Sequence, residues 1–416
     1  MSQVAFCALW CFVLVLPWDV FTQLPLLGSI PRLVGLVASA VGILHILARR
    51  RVRPLSWFHV FAVLFVLWVG VSSFWSIDPQ ASRTRFITSL QLLVLVWLIW
   101  EIAWSPERQR SLLQAYVVGV CVAAVATIHS YLSGSAWLAH GTVETARFVA
   151  LNQDPNELGV ILALGLPMAW YLGLPRPQQR TVWIWRLYIP LGIMGILLTG
   201  SRGAFLTALV ALLIIPLTLG RVRLRAKIAL YALAVGSLML ATSFVPEASL
   251  QRIQSTRADI EAGYFGGRIY IWMAGLEVAR EHPLAGVGAG GFGAAVAPTL
   301  HHDMASHQTF LEILVEQGVV GLLLFCAVVG AAIKPLRHLP PLERRLWIVV
   351  LASLAAGSMS LHLGNRKQFW FVLGVLAAQV AQPTPSLLSS RRRLRGTPEG
   401  HLSEVAGRRD ESAQGG

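Results

Sequence analysis

Long apolar runs separated by short polar connections fill most of the chain. A hydrocarbon layer of ~30 Å needs ~20 apolar residues in each helix that crosses it, and runs of about this length recur as far as residue 380. Alternating segments typical of a membrane barrel are absent from the sequence. We therefore predict an all-α integral membrane protein with about twelve transmembrane helices. The predicted spans are residues 4–16, 26–47, 58–75, 89–104, 114–132, 156–174, 181–199, 204–219, 226–244, 310–333, 346–363 and 369–380.

The composition agrees with one membrane domain. Of the 416 residues, 55% are hydrophobic and 13% are charged, against about 25% charged in a soluble domain. We predict a polytopic membrane domain over residues 1–381, with a long outer loop over 245–309 between the ninth and tenth spans. Residues 382–416 are rich in Pro, Ser, Arg and Gly, with few apolar residues. This composition predicts a disordered tail.

Basic residues predict the orientation. Most of the 34 Lys and Arg residues lie in alternate connections and in the tail, which places those segments in the cytoplasm by the positive-inside rule. Both termini are then predicted to be cytoplasmic. The net charge of +14 reflects this topology and contact with anionic membrane lipids. Because the basic residues are scattered over short loops, nucleic acid is not a predicted partner.

The outer loop carries basic residues on the face that the topology rule disfavours. Arg268 and Arg280 lie in a segment, 268–282, whose spacing predicts a helix in the plane of the membrane interface. Its apolar positions are Ile269, Trp272, Met273 and Leu276. Arg268 at the start of the helix favours phosphate binding, because free N–H groups point outward there. Arg280 lies beside Glu277 and Glu281, so a surface ion pair of small energetic weight is an equal interpretation.

A second arginine occupies a tight outer turn. Arg202 stands in residues 199–203, between two long apolar runs and between glycines. A guanidinium binds phosphate through paired hydrogen bonds and stays charged. The alternative is an arginine that only anchors its helix at the interface.

A histidine precedes the tenth span. His307 carries an imidazole that titrates near neutral pH, which is typical of a general base. A helix cap or an interface residue is the alternative. The neighbouring His301, His302 and Asp303 are residue types that bind metals, but their spacing fits no strong metal motif. We predict neither a metal nor a cofactor.

A glycine-rich stretch, 286–291, matches the pattern G-x-G-x-x-G. No strand is predicted before it, so a dinucleotide site is excluded. Two hypotheses stay open at this point. The stretch is either a loop whose backbone amides meet a diphosphate or a plain hinge.

These motifs together resemble the O-antigen ligase and O-antigen polymerase superfamily. The resemblance covers about a third of the chain, residues 196–330, and an upstream outer loop adds Arg147-Phe148 and Asp154-Pro155-Asn156. Gln308 departs from the family, which often has Asn after the histidine. The motifs are LTGSRGAF at 198–205, Arg268 with Trp272, HPLAGVG at 282–288, HQTFLEIL at 307–314 and GVVG at 318–321.

The resemblance implies a membrane glycosyltransferase of GT-C type. Such enzymes move glycan from undecaprenyl diphosphate on the periplasmic side of the bacterial inner membrane, without metal or nucleotide cofactor. Arg202 and Arg268 would bind the donor diphosphate, with Arg147 as a third contact and Arg280 as a further candidate. His307, supported by Arg268, would activate the acceptor hydroxyl.

The resemblance is greatest to the O-antigen ligase, whose acceptor is lipid A-core. A polymerase that extends a lipid-linked repeat and an enzyme that glycosylates protein are alternatives within the superfamily. A transporter or flippase of lipid-linked glycan is an alternative from another class. The basic groups gather at the outer ends of spans rather than at the bilayer midplane, which disfavours transport.

Overall fold

The computed structural model describes residues 1–18, 23–24, 28–139, 142–150, 153–175, 182–219, 223–226, 228–229, 232 and 268–379. Helices form nearly all the regular structure of these residues. The first nine are α1 (Ser2–Val15), α2 (Ile30–Arg49), α3 (Trp57–Val71), α4 (Pro79–Ile102), α5 (Pro106–Leu132), α6 (Pro155–Leu172), α7 (Tyr188–Leu198), α8 (Arg202–Leu212) and α9 (Ile214–Thr218). The others are α10 (Arg268–Glu281), α11 (Phe292–Leu300), α12 (Thr309–Ile333), α13 (Pro341–Ser358) and α14 (Lys367–Ala378).

Short irregular pieces complete the described elements. Short 3₁₀ helices cover Ser72–Phe74, Val182–Leu187 and Lys334–His338. Two antiparallel strand pairs depart from the all-α prediction: Gln23–Leu24 pairs with Gly28–Ser29, and Trp137–Ala139 pairs with Thr142–Arg147. Both pairs belong to connections between helices, so the layers of the fold remain helical.

The predicted spans overlap the described helices everywhere except at the ninth. That span, 226–244, lies almost wholly outside the described residues. Within the described part of the chain, five helices are long and apolar enough to cross a membrane: Ile30–Arg49, Trp57–Phe74, Pro79–Ile102, Pro106–Leu132 and Thr309–His338. The count of twelve therefore stays a prediction. Met1–Val380 forms one compact unit, and the predicted tail, 382–416, lies outside the described residues.

Helix starts follow local capping rules. Asp78 and Ser105 precede Pro79 and Pro106, and each caps its helix by accepting a hydrogen bond from the backbone N–H of the third helical residue. An oxygen at the N-cap satisfies a donor that has no partner within the helix. Proline in the first turn loses no hydrogen bond. The sequence therefore fixes where α4 and α5 begin.

Aromatic side chains hold the centre of the bundle together. Phe325 of α12 stacks on Phe369 of α14, with ring centroids 5.4 Å apart. Phe65 of α3 approaches both Phe325, at 5.6 Å, and Trp370, at 6.3 Å. Aromatic pairs at these separations add to the stability that comes from burial alone. These aromatic contacts pack α12 between α3 and α14.

Helix α12 is broken at Gly318. This residue has φ +67° and ψ −171°, a conformation essentially restricted to glycine. The break frees backbone groups that an intact helix would pair internally, and a bilayer offers them no water. A second segment of the chain has to satisfy them.

The residues 283–288 provide those partners. The N–H groups of Val287 and Gly288 donate to the carbonyls of Val315 and Glu316, at 3.0 and 2.8 Å. In the other direction, the Val319 N–H donates to the Pro283 carbonyl at 2.8 Å. The predictions for the glycine-rich stretch need correction here. It is a buried plug in the broken helix, not an exposed amide cradle or a free hinge.

Replacement of Gly318 tests this plug. The Cβ of Gly318→Ala would lie 2.1 Å from the Leu284 carbonyl oxygen, and a side chain at this φ costs about 1–3 kcal/mol even without the clash. We expect the apparent melting temperature of the purified protein to fall by several degrees. The control is Gly330→Ala in the same helix, where an added Cβ meets nothing within 4 Å. Equal melting temperatures for the two variants would contradict the account.

Candidate active site

Several helices begin at one end of the bundle, around His307. Asp154 caps α6 by accepting from the N–H groups of Asn156 and Glu157, Ser201 caps α8, and Gln308 caps α12 through a hydrogen bond from the Leu311 N–H. Helix starts carry partial positive charge and favour anions. Gln308, which replaces the family's usual Asn, therefore keeps the cap.

The segment before α12 is fixed on two sides. Trp272 Nε1 of α10 donates to the Ser306 carbonyl at 3.0 Å. On the other side, Thr309 Oγ1 donates to the Leu361 carbonyl and accepts from the Leu363 N–H, each at 2.8 Å. These bonds hold the loop 302–308 between α10 and the loop 359–366.

His307 itself is held in an uncommon backbone conformation. Its φ is +50°, in the left-handed region that few residues other than glycine adopt. Its Nδ1 is buried and has no hydrogen-bond partner among the described residues. Strain of this kind at a polar residue is typical of functional sites.

The surroundings keep the His307 imidazole neutral. Burial lowers its pKa below the usual 6.5, and the nearby Arg268 guanidinium and His362 lower it further. Asp154 and Glu312 act in the opposite direction with smaller effect. At neutral pH, His307 is therefore a base rather than an acid. Arg268 and His307 are thus near enough to interact electrostatically, and their shared role in one site stays a prediction.

Beneath His307 lies a buried carboxylate network. Glu312 Oε1 accepts from Arg85 Nη2 of α4 at 2.9 Å, and Glu312 Oε2 accepts from Ser306 Oγ at 2.7 Å. Glu316, one turn later, approaches the same guanidinium at 3.4 Å. A buried pair stabilises only when its remaining hydrogen-bonding groups are satisfied, and loss of one partner costs about 3–5 kcal/mol.

The network continues to α6. Nδ1 of His362 lies 3.6 Å from Glu312 Oε2, and its Nε2 lies 3.3 Å from Arg366 Nη2. The same Arg366 nitrogen pairs with Glu157 Oε2 at 3.0 Å. Charged groups from α4, α6, α12 and the loop 359–366 thus form one connected cluster under the His307 loop.

The Arg202 turn is packed against the same loops. Gly200 has φ +59°, which the tight turn requires. Gly203 lies so near Ser360 that an added Cβ would be 2.3 Å from the Ser360 hydroxyl. Gln308, the neighbour of His307, contacts Met359. The loop 359–366 therefore connects Arg202, at the partly exposed start of α8, with the His307 loop.

Arg147 holds this turn in place from the side. It is only 4% exposed, its Nε donates to the Thr199 carbonyl at 2.7 Å and its Nη2 donates to Asn156 Oδ1 at 2.8 Å. Phe148 N–H adds a bond of 3.0 Å to the Leu198 carbonyl. These contacts make Arg147 a residue that positions the Arg202 turn and the start of α6. Its predicted contact with a diphosphate stays a prediction.

Arg280 is not brought to this cluster. Twelve residues of α10 separate it from Arg268, or ~18 Å along a helix, and it pairs with Glu277 at 3.3 Å. Both side chains are well exposed, at 77% and 67%. The surface ion pair is the interpretation that the geometry supports.

Helix α10 packs on the bundle mainly through small residues. The helix runs over Arg268–Glu281 as expected, but its buried positions are Ile271, Ala274, Gly275 and Ala279. Met273 and Leu276, predicted on the apolar face, are 63% and 45% exposed. Small residues pack α10 against α12, and larger apolar residues face outward. Outward apolar residues agree with a helix at a membrane interface.

Comparisons with known proteins agree with the motif resemblance. Residues 187–326 match the family described as O-antigen ligase. Over 308 residues the chain is 28% identical to the exopolysaccharide production protein ExoQ of Rhizobium meliloti (strain 1021). Both similarities support a place for this chain in the O-antigen ligase and polymerase superfamily. The alignment covers 67% of this chain and 64% of the ExoQ protein, so the chain spans less than two thirds of that relative's length.

The superfamily match contains Arg202, Arg268 and His307 but stops before the loop 359–366. The sequence analysis assigned no site role to Glu312 or His362. Glu312 lies within the motif at 307–314 but had no role attached to it, and His362 lies outside the resemblance. One signal was present: two glutamates in a predicted membrane span, 310–333, need buried partners. Among the described residues, no three His, Cys, Asp or Glu side chains cluster as a metal site.

Proposed function

We propose that this superfamily member is an inverting, metal-independent glycosyltransferase. It moves a glycan from undecaprenyl diphosphate to a sugar hydroxyl of lipid A-core, at the periplasmic face of the bacterial inner membrane. The observation that carries the proposal is the grouping of Arg268, His307 and the Arg202 turn around several helix starts.

The reaction forms one bond and breaks one. The acceptor hydroxyl oxygen attacks the anomeric carbon of the glycan, and its proton passes to the neutral imidazole of His307. The bond between the anomeric carbon and the carrier diphosphate breaks, and the diphosphate leaves with additional negative charge. Arg202 and Arg268, with the helix starts beside them, stabilise that charge in a site of low water content.

The acceptor has one rival candidate. The relative from Rhizobium meliloti is described as an exopolysaccharide production protein, and this description favours a polymerase whose acceptor is another lipid-linked glycan. Both reactions use the same attack on the anomeric carbon. A reconstituted assay that offers donor with lipid A-core, or donor alone, separates them by the size of the products.

Substitution of His307 tests the role of the base. We expect His307→Ala to fold and to bind the donor but to lose about 10²–10⁴-fold in transfer rate, because general-base assistance is worth that much. The measurement is transfer by purified protein in liposomes that contain undecaprenyl diphosphate-linked glycan and acceptor, with and without a metal chelator. His282→Ala, at an exposed position after α10, is the control. Near-normal transfer by His307→Ala would refute the assignment, and loss of wild-type transfer in chelator would refute the metal-independent mechanism.

The pH dependence of transfer provides a second prediction. A base is active only when deprotonated, so transfer is present above the His307 pKa and lost as pH falls through it. Because that pKa is lowered, we expect the acid limb of kcat/KM below pH 6.5. Arg268→Gln removes a positive charge that lowers the pKa, so it should move the limb to higher pH.

The control is Arg280→Gln, which removes an equal charge at the other end of α10. It should leave the acid limb in place. A limb that does not move in Arg268→Gln, or that moves equally in both variants, would be inconsistent with an Arg268 charge acting on His307.

A further inference from the structure

A polar groove runs along α4 at the His307 end of the bundle. It has a volume of about 450 Å³, and its lining includes Asp78, Gln80, Thr84, Thr88 and Asn365. Ligand pockets commonly occupy ~300–1,000 Å³. We call it the α4 groove. The sequence motifs and the proposed reaction leave it without a role.

The groove follows a polar stripe on a helix that is long and apolar enough to span a membrane. Gln80, Thr84 and Thr88 recur every four residues on α4, and Gln91 continues the stripe as an exposed residue. With a rise of ~1.5 Å per residue, the stripe extends ~17 Å along the helix. An amide side chain that faced lipid tails would lose its hydrogen bonds at substantial cost. This argument applies to Gln91, which lies within the predicted span 89–104, whereas Gln80, Thr84 and Thr88 precede that span and extend the same polar surface toward the His307 end.

The lining groups are mainly hydrogen-bond acceptors. Thr84 Oγ1 donates its proton to the Gln80 carbonyl at 3.0 Å, and Thr88 Oγ1 donates to the Thr84 carbonyl at 2.9 Å. Each hydroxyl oxygen then retains lone pairs that accept. Asn365 Oδ1 is buried and has no hydrogen-bond partner among the described residues. The groove is matched to a ligand rich in O–H donors.

The charges of the groove disfavour an anion. Asp78 places a carboxylate at the start of α4, beside Gln80. Arg85 also lines the groove, but its guanidinium is paired with Glu312 and Glu316. A diphosphate in the groove would be repelled by the Asp78 carboxylate and would gain little from a guanidinium that is already neutralised. An uncharged sugar is not repelled by the carboxylate and needs no cationic partner.

The groove lies beside the candidate active site. Arg85 and Asn365 line both the groove and a smaller cavity of about 20 Å³, whose other walls include Thr309, Glu312 and His362. That cavity has room for about one water molecule. A glycan with several sugars needs contacts beyond its reacting unit, and the α4 groove is adjacent to that unit's predicted position.

We infer that the α4 groove binds uncharged sugar residues of a glycan substrate through Thr84, Thr88 and Asn365. The inference rests on the proposed function for the identity of the glycan, which comes from the acceptor or from the donor. It assigns neutral carbohydrate to α4 and leaves the diphosphate to the arginines around His307.

Direct binding tests this inference without transfer. Purified full-length protein in nanodiscs is titrated with core oligosaccharide released from lipid A, and separately with glycan released from its diphosphate carrier. We expect at least one of them to bind the wild type. The double variant Thr84→Val with Thr88→Val should weaken that binding about tenfold, because it removes two neutral hydrogen-bond acceptors. The glycan that loses affinity identifies the source.

Matched variants separate binding from folding. Thr127→Val on α5 removes a buried hydroxyl with the same bond to the carbonyl four residues earlier and should bind as the wild type does. Thr84→Ser with Thr88→Ser keeps both oxygens and should retain affinity. The inference is overturned if neither glycan binds the wild type, if the double valine variant binds normally, or if inorganic pyrophosphate displaces the bound glycan.

The two proposals fail separately. Normal glycan binding by the double valine variant, together with loss of transfer in His307→Ala, would refute the sugar site in the α4 groove and leave the proposed enzyme activity intact. Weakened binding in the double valine variant, with full transfer in His307→Ala, would support the α4 groove as a carbohydrate site and refute the role of His307 as general base.

Discussion

The buried carboxylate of Glu312 is the group on which the site depends. A charge out of water has to be paired and hydrogen-bonded, and the partners of Glu312 come from separate parts of the chain. It contacts Arg85 of α4, Ser306 of the His307 loop and His362 of the loop 359–366. Ser306 is in turn held by Trp272 of α10. One carboxylate thereby fixes the loop that carries His307.

The same end of the bundle separates two kinds of polar surface. Around Arg202, Arg268 and His307, cationic groups meet helix starts, and this arrangement favours a charged phosphate. Along α4, hydroxyl and amide oxygens line a groove in which Arg85 is already paired with Glu312. The Glu312 network lies between these two surfaces. A substrate with a charged diphosphate and a neutral glycan carries both complementary chemistries.

Local signals in the sequence predicted much of this structure. Apolar runs of the right length gave nearly all the described helices, and the Asp-Pro pair at 154–155 gave the start of α6. Signals of this kind act within a few residues, so a single sequence is enough to read them. The grouping of His307 with Arg268 came from motif resemblance instead and stays a prediction; the two side chains interact electrostatically.

The remaining features depend on contacts between distant residues. Arg85 and Glu312 are 227 residues apart in the chain, and no periodicity pairs them. The stretch 286–291 has the composition of a flexible loop, yet it is a plug because Gly318 breaks α12 opposite it. Met273 and Leu276 follow a helical spacing, but the small Ala274 and Gly275 are the residues that face α12. In each case a tertiary partner decided the outcome.

The most direct test of the central claim is an experimental structure of the full chain in nanodiscs with a polyprenyl diphosphate bound. The account predicts phosphate oxygens within hydrogen-bond distance, about 3 Å, of both Arg202 and Arg268, beside the His307 imidazole. A diphosphate seated in the α4 groove, or at the opposite end of the bundle, would contradict it.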